Sequence, residues 1–177
     1  GPNSSGVAPK GNPPTEWSET TNIRWKVEVP GRGSASPIVW ENRVFVLTAV
    51  PVGVEESDVS QVGLHPERAY EFTVVAYNRL DGSIAWRRVA REEQPHEGVH
   101  QQNGSWASGS AVTDGEHLLA YFGSRGLYCY TLDGELVWET DFGDKRMRNE
   151  FGEGTTPALA GDTVVVGDLK VVGFSFH

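Results

Sequence analysis

Two stretches of this chain repeat one another. Leu80-Asp81-Gly82-Ser83-Ile84-Ala85-Trp86 and Leu132-Asp133-Gly134-Glu135-Leu136-Val137-Trp138 share Leu, Asp, Gly and Trp in register. A chain that repeats a turn and the strand after it is assembled from copies of one module, and this limits its fold more than any other feature. Asp-Gly is a strong short hairpin signal. After it, Leu136 and Trp138 alternate with Val137 and Glu139, as a strand with one buried face should. Upstream, Leu119, Tyr121, Leu127, Tyr128 and Tyr130 are strand formers. Ser124-Arg125-Gly126 marks a turn between them, because Gly126 takes a positive φ at little cost. With Ala111-Val112-Thr113-Asp114-Gly115 in front, the segment reads as four antiparallel strands in a row.

The openings of the modules repeat as well. Ser36-Pro37-Ile38-Val39-Trp40-Glu41-Asn42-Arg43-Val44 matches Ser110-Ala111-Val112-Thr113-Asp114-Gly115-Glu116-His117-Leu118. A third opening starts at Thr156-Pro157-Ala158-Leu159-Ala160-Gly161-Asp162, and Gly167 to His177 has room for one more strand. Asn22 to Val29 reads as the closing strand of a module with no opening of its own, and Trp25 takes the place of Trp86 and Trp138. The two Leu-Asp-Gly triplets lie 52 positions apart. A four-strand unit recurring every ~40–50 residues predicts β-propeller blades. The expected fold is all-β: an incomplete arc of two full blades, at about 36–89 and 108–140, with a partial blade at 156–177. Residues 1–21, rich in Pro, Gly, Asn and Ser, read as an extended arm or linker ahead of a propeller segment at 22–177.

This repeat resembles the pyrroloquinoline-quinone-like (PQQ-like) propeller repeats of the quinoprotein alcohol dehydrogenase-like superfamily. The residues that carry the likeness are Leu80-Asp81-Gly82 with Trp86, and Leu132-Asp133-Gly134 with Trp138. Such repeats occur in quinoprotein dehydrogenases, in an outer-membrane assembly lipoprotein and in many exported bacterial proteins. The resemblance implies that each closing Trp docks between blades as a structural girdle, and that the chain works in the periplasm or outside the cell. It also implies that further residues precede Gly1-Pro2-Asn3 in the intact protein. The repeat residues are turn and packing residues, so the likeness speaks to fold more than to function.

Composition narrows the partners. The chain has 24 acidic and 15 basic side chains, a formal charge of −9. That disfavours nucleic acid and anionic membranes, which recruit clustered Lys and Arg. No apolar run approaches the ~20 residues that span a bilayer, and no signal peptide is recognisable. The single cysteine, Cys129, excludes an intrachain disulfide and reads as a buried packing residue in a strand. Asn3-Ser4-Ser5 and Asn103-Gly104-Ser105 fit the glycosylation triplet.

Candidate site residues fall in the connections. An insertion from Val50 to Tyr70 in the first blade is polar and acidic at Glu55, Glu56 and Asp58. It reads as a surface loop or a binding element, with His65 solvated. Arg87, Arg88, Arg91, Glu92 and Glu93 read as a solvated face. In the connection from Glu92 to Ser108, His96 and His100 have the i, i+4 spacing that suits a metal on a helix, but Pro95 and Gly98 argue against a helix. No metal site is expected. His100, Gln102, Asn103 and Trp106 can instead bond and stack with a small polar ligand, or satisfy neighbouring loop backbone. In Asp141 to Thr155, Arg146, Arg148, Glu150 and Glu153 stand among glycines. They suit either a bidentate grip on an anion or an Arg–Glu network between loops. Both connections join a last strand to the next first strand, so they should share one face, the expected site.

No catalytic residue is assigned. The quinoprotein dehydrogenases that the repeat resembles use a vicinal Cys pair, a calcium held by Glu, Asn and Asp, and an Asp base. Cys129 alone cannot supply the pair, and no such calcium set can be placed by position. Nor does a nucleophile elbow, phosphate loop or zinc signature occur. The primary reading is a non-catalytic scaffold for binding or assembly, without a cofactor. It is expected to associate with itself, or with missing blades of a longer chain, to complete its sheets. The alternatives are a relative of the PQQ-dependent dehydrogenases, with quinone and calcium, and a glycan-binding module using Trp17, Trp40 and Trp106 as stacking platforms.

Overall fold

Alternating apolar residues and Asp-Gly turns give three antiparallel sheets in a computed structural model that describes residues 7, 10–55, 58, 65–102, 104–167 and the backbone of 172–175. The first sheet runs in chain order through β1 (Ile38–Trp40), β2 (Arg43–Pro51), β3 (Tyr70–Asn78) and β4 (Ile84–Glu93). The second repeats this with β5 (Val112–Thr113), β6 (His117–Tyr121), β7 (Leu127–Thr131) and β8 (Leu136–Thr140). The third holds β9 (Ala158–Ala160), β10 (Thr163–Val166) and β11 (Val172–Ser175).

The sheets pack face to face, and the period-2 alternation of the middle sheet shows how. Leu118, Ala120, Tyr128 and Tyr130 join Phe45, Leu47, Phe72, Val74 and Trp86 of the first sheet in one core. Their neighbours Leu119, Tyr121, Leu127 and Cys129 join Val164 and Val166 of the third sheet in another. Because side chains alternate sides along a strand, one sheet serves two cores. This is blade-on-blade packing of an open propeller arc.

Two kinds of fastening recur from blade to blade. Trp86, at the start of β4, donates from Nε1 to Leu132 O at 2.9 Å. Its ring covers Gly134, where a Cβ would lie 2.7 Å from the ring carbon Cδ2. Trp25 does the same one blade earlier, donating to Arg79 O at 2.9 Å and covering Gly82 at the same 2.7 Å. Trp138 packs against the second core. At the entry to each first strand runs a hydroxyl relay. The N–H of Ser36 donates to Ser110 Oγ, and the N–H of Ser110 donates to Thr156 Oγ1, each at 2.9 Å. These are the three residues that open the aligned modules.

Several boundaries differ from the sequence reading. β2 and β3 extend to Pro51 and Tyr70, so the insertion is shorter than read; residues 56–57 and 59–64 within it lie outside the described residues. β4 continues through the Arg87–Glu93 charge run, because outward positions of an edge strand tolerate charge. Residues 22–29, read as a closing strand, make no ladder bond among the described residues; a strand needs a paired neighbour, and this segment touches the first blade through side chains only. The first blade's β3–β4 turn holds one residue more than its counterpart, Arg79, and Asp81 caps it by accepting from Ser83 N at 3.0 Å and Ser83 Oγ at 2.7 Å. The aspartate's carboxyl is accordingly held below its usual range by these bonds.

Two predictions follow from this packing. Gly134 has φ +83° and Gly143 φ +73°, but only Gly134 faces a ring. Alanine at Gly143 should cost about 1–2 kcal/mol for the left-handed backbone. Alanine at Gly134 should cost more, since Trp86 must also move; urea unfolding of the two variants measures the difference. The Cys129 thiol is buried, and burial, with the nearby Asp114 carboxylate adding to it, pushes it up to about 12. It should resist a thiol reagent at pH 8 in the native protein and react fully once urea unfolds the chain.

Candidate functional site

The connections between blades meet on the face that also carries the β6–β7 turn. The glycines and charges of that turn decide what happens there. Gly123-Ser124-Arg125 forms a single 3-10 turn, and Gly126 leaves it at φ +105°. This sets Arg125 into the first core, only 3% exposed, with its guanidinium over the Phe72 ring at 5.8 Å.

A buried cation needs partners from every side, and the loops supply them. Arg125 Nε lies 3.3 Å from Glu93 Oε1 and Nη1 3.5 Å from Asp144 Oδ1. The Nε contact has ion-pair distance but not hydrogen-bond geometry, for Nε has no hydrogen-bond partner. Nη2 donates to His96 Nδ1 at 2.8 Å, and His96 Nε2 lies 2.6 Å from Lys145 O. A carbonyl only accepts, so His96 carries its hydrogen on Nε2 and offers a lone pair to Arg125. Glu97 accepts from the Met147 N–H at 3.1 Å, and its own carbonyl accepts from Trp106 Nε1 at 3.0 Å. Glu153 Oε1 accepts from Ser124 N at 3.0 Å and Ser124 Oγ at 2.6 Å. Arg91 bonds Asp141 Oδ2 at 2.6 Å and also pairs with Glu93. That hydrogen bond holds the Asp141 carboxyl below its usual range.

The hub encloses a cavity of about 10 Å³ among Phe72, His96, Trp106, Arg125 and Glu153. This admits at most a single water. Beside it lies an open groove of about 550 Å³, walled by Pro66 of the insertion, by residues 98–102 and by residues 149–151. His100, Gln102 and Glu150 meet there. The His100 N–H donates to Phe151 O at 3.3 Å, and the two rings stand edge to face at 5.3 Å. Phe151 itself is 58% exposed. Asn149 and Glu150 both hold left-handed backbone, φ 65° and 53°, which is costly for residues with a Cβ and turns the chain sharply at the groove's rim.

The site residues expected from sequence therefore divide. His100, Gln102 and Glu150 converge. Trp106 packs under the loops against Tyr70, ring centroids 4.5 Å apart. Arg146 and Arg148 are exposed and hold no ion pair among the described residues; the loop-to-loop network forms around Arg125 instead. Asn103 lies outside the described residues, as do Asn3, Ser4 and Ser5 of the other glycosylation triplet. His96 and His100 diverge, one to Arg125 and the other to Phe151. Of the other ring platforms, Trp17 is exposed, while Trp40 lies against Gly115 of the next blade, where a Cβ would be 2.6 Å from its Cζ2. Glu153, among the charges expected to tie loops together, does bond the β6–β7 turn, whereas Arg125, Glu93, Glu97 and Asp144 were not foreseen as a unit. The one signal available was an arginine between two glycines ahead of an aromatic strand.

Four-stranded antiparallel modules, stacked face to face and pinned by a tryptophan on an Asp-Gly turn, define a β-propeller of PQQ-like repeats. The chain belongs to the family described as outer membrane protein assembly factor BamB, whose model matches residues 14–102 and 70–176. Among solved structures, BamB from Moraxella catarrhalis has the same fold, with a TM-score of 0.54 and 15% sequence identity. The match covers 86% of this chain and 36% of that one, so the chain spans about a third of its length. No curated protein matches the chain.

Proposed function

We propose that this chain is a non-catalytic propeller segment, a scaffold for binding and assembly that presents its loop face to a partner. The observation that carries this is that the hub's charged groups turn on one another and on the loops, with Arg125 Nε and Glu153 Oε2 the atoms among them that lack a hydrogen bond. Arg125, His96, Glu93, Glu97 and Glu153 bond one another or the loop backbone, so they fix the loops in place. The groove of His100, Gln102, Glu150 and Phe151 remains open beside them. An exposed ring, amides and one carboxylate suit a small polar or carbohydrate ligand, or a protein segment with such groups. Membership of an assembly-factor family supports a protein partner and a periplasmic setting. The same reading has the open arc completed by further blades, from a longer chain or by self-association.

The test adds PQQ with calcium, then an alcohol or sugar and a redox dye. No thermal shift and no dye reduction is the expected result. Saturable quinone binding with dye reduction would replace the scaffold by a quinone-dependent dehydrogenase. An array of soluble glycans, run with Phe151→Ala as control, reads the groove directly: binding lost in the variant assigns it.

A further inference from the structure

We propose that His96 is a proton-operated latch: on acidification its imidazole leaves Arg125 and pairs with Asp144, so the loop face changes its fastening. The inference rests on the reading of that face as a binding surface only for its use. The latch itself is a property of the loops without a ligand. Two hydrogen bonds and one ion-pair contact carry it.

The two hydrogen bonds fix the charge of the ring. Arg125 Nη2 donates to His96 Nδ1 at 2.8 Å, and His96 Nε2 donates to Lys145 O at 2.6 Å. A guanidinium has no lone pair to offer and a carbonyl has no hydrogen. Nδ1 is therefore bare, Nε2 carries the hydrogen, and the ring is neutral in this arrangement. A second proton has one place to go, Nδ1. There it abolishes the bond from Arg125 and sets two cations against each other. Imidazole is the side chain that takes up a proton between pH 8 and pH 5. The ring is within reach of solvent, with its side chain 18% exposed, whereas the Arg125 side chain beneath it is 3% exposed.

The protonated ring has an acceptor at hand. Asp144 Oδ1 lies 3.3 Å from Nδ1, nearer than the 3.5 Å that separates it from Arg125 Nη1. The new Nδ1–H donates to this carboxylate, and Nε2 keeps Lys145 O. Glu97, the next residue of the same connection, lies 3.9 Å from Nε2. Arg125, Asp144 and Glu97 are thus the charges nearest the ring, one cation and two carboxylates, and a proton on His96 brings them into balance. The remaining charges on the adjoining elements are engaged elsewhere. Glu93 of β4 stands 3.3 Å from Arg125 Nε, Glu153 accepts from Ser124, and Lys145 Nζ donates to the Tyr121 hydroxyl at 2.6 Å.

The exchange alters what holds the groove. With the ring neutral, His96 fastens its connection to the β6–β7 turn through Arg125. With the ring charged, it fastens that connection to the next one through Asp144 and Lys145. Residues 98–102 and 149–151 continue these two connections and form the groove walls. In acid the walls are bound more to each other and have one fastening fewer to the turn.

Long-range proton–nitrogen NMR of the imidazole and arginine side chains tests this on the chain without ligand. His96 and Arg125 are assigned by the signals lost in His96→Gln and Arg125→Lys. At pH 8 His96 should carry hydrogen on Nε2 alone, and at pH 5 on both nitrogens. The Arg125 Nε signal should shift with the same midpoint, while the amide signals of β6 and β7 stay in place. In Asp144→Asn the midpoint should move to lower pH, since the charged ring loses its carboxylate. In His96→Gln the Arg125 step should vanish. The inference is overturned if His96 stays singly protonated down to pH 5, if it titrates while Arg125 does not respond, or if the Arg125 step survives in His96→Gln. An unmoved midpoint in Asp144→Asn also overturns it, as does acid that melts the sheets before the ring titrates. None of these results bears on what the groove binds, which the glycan array decides.

Discussion

Trp86→Ala is expected to lower the unfolding free energy by about 3–5 kcal/mol, the usual cost of deleting a large aromatic from a core. The side chain is 8% exposed, lies 5.9 Å from the Phe45 ring and 6.2 Å from the Tyr130 ring, and bonds Leu132 O. Its loss opens a void between two sheets and leaves a carbonyl without its donor. Arg88 lies 5.9 Å over the same ring and bonds Gly134 O at 2.7 Å, so the hole has a charged lid that cannot collapse into it. Urea titration followed by far-ultraviolet circular dichroism measures the change. Trp86→Phe should recover most of the packing and none of the hydrogen bond. A loss below about 1 kcal/mol for alanine, the scale of a surface substitution, would mean the sheets are not held together there.

Arg125→Leu should cost about 1–3 kcal/mol, because it removes a buried donor and leaves the loop acceptors around it without their partner. Glu93 and Asp144 lose their guanidinium and His96 loses the donor to Nδ1. The cost should fall on the loops before the sheets. Amide hydrogen exchange ought to quicken at Lys145, Met147 and His100, whose N–H groups are held by the loop network, while β6 and β7 keep their protection. Asp144→Asn makes a milder control, since the Asp144 side chain is 61% exposed and solvent screens its charge. Uniform loss of protection over both sheets would contradict the local role assigned to Arg125.

The sheets were legible in the sequence and the hub was not. Asp-Gly turns and alternating strands act over four or five residues, so Leu132 to Trp138 announces its own structure. Its glycine and its tryptophan report a contact between blades because the same pair recurs at Gly82 and Trp86. Arg125 carries no such signature. A charge buried through contacts from Glu93, His96 and Asp144 depends on three segments converging, and each segment alone looks like a polar loop. Composition pointed instead to Arg146 and Arg148, the densest charges in the connection, and these stay in solvent. His100, Gln102 and Glu150 could be placed on one face because connections of the same kind in successive blades leave on the same side. Trp106 could not be placed by that argument, as whether an aromatic faces out or under depends on the pocket that Tyr70 provides. Residues 22–29 show the converse limit: the alternation is that of a strand, yet the segment makes no ladder bond among the described residues.

The bond from Ser36 to Ser110 and the tryptophan Trp86 hold the junction of the first two blades at two separate points. Ser36 N–H bonds Ser110 Oγ just ahead of the first strands, while Trp86 fastens at the β7–β8 turn of the second blade. A joint pinned at one point can swing; one pinned at two cannot. The angle between these two modules is thus set by short-range bonds within the repeat, and the local curvature is written into the junction itself.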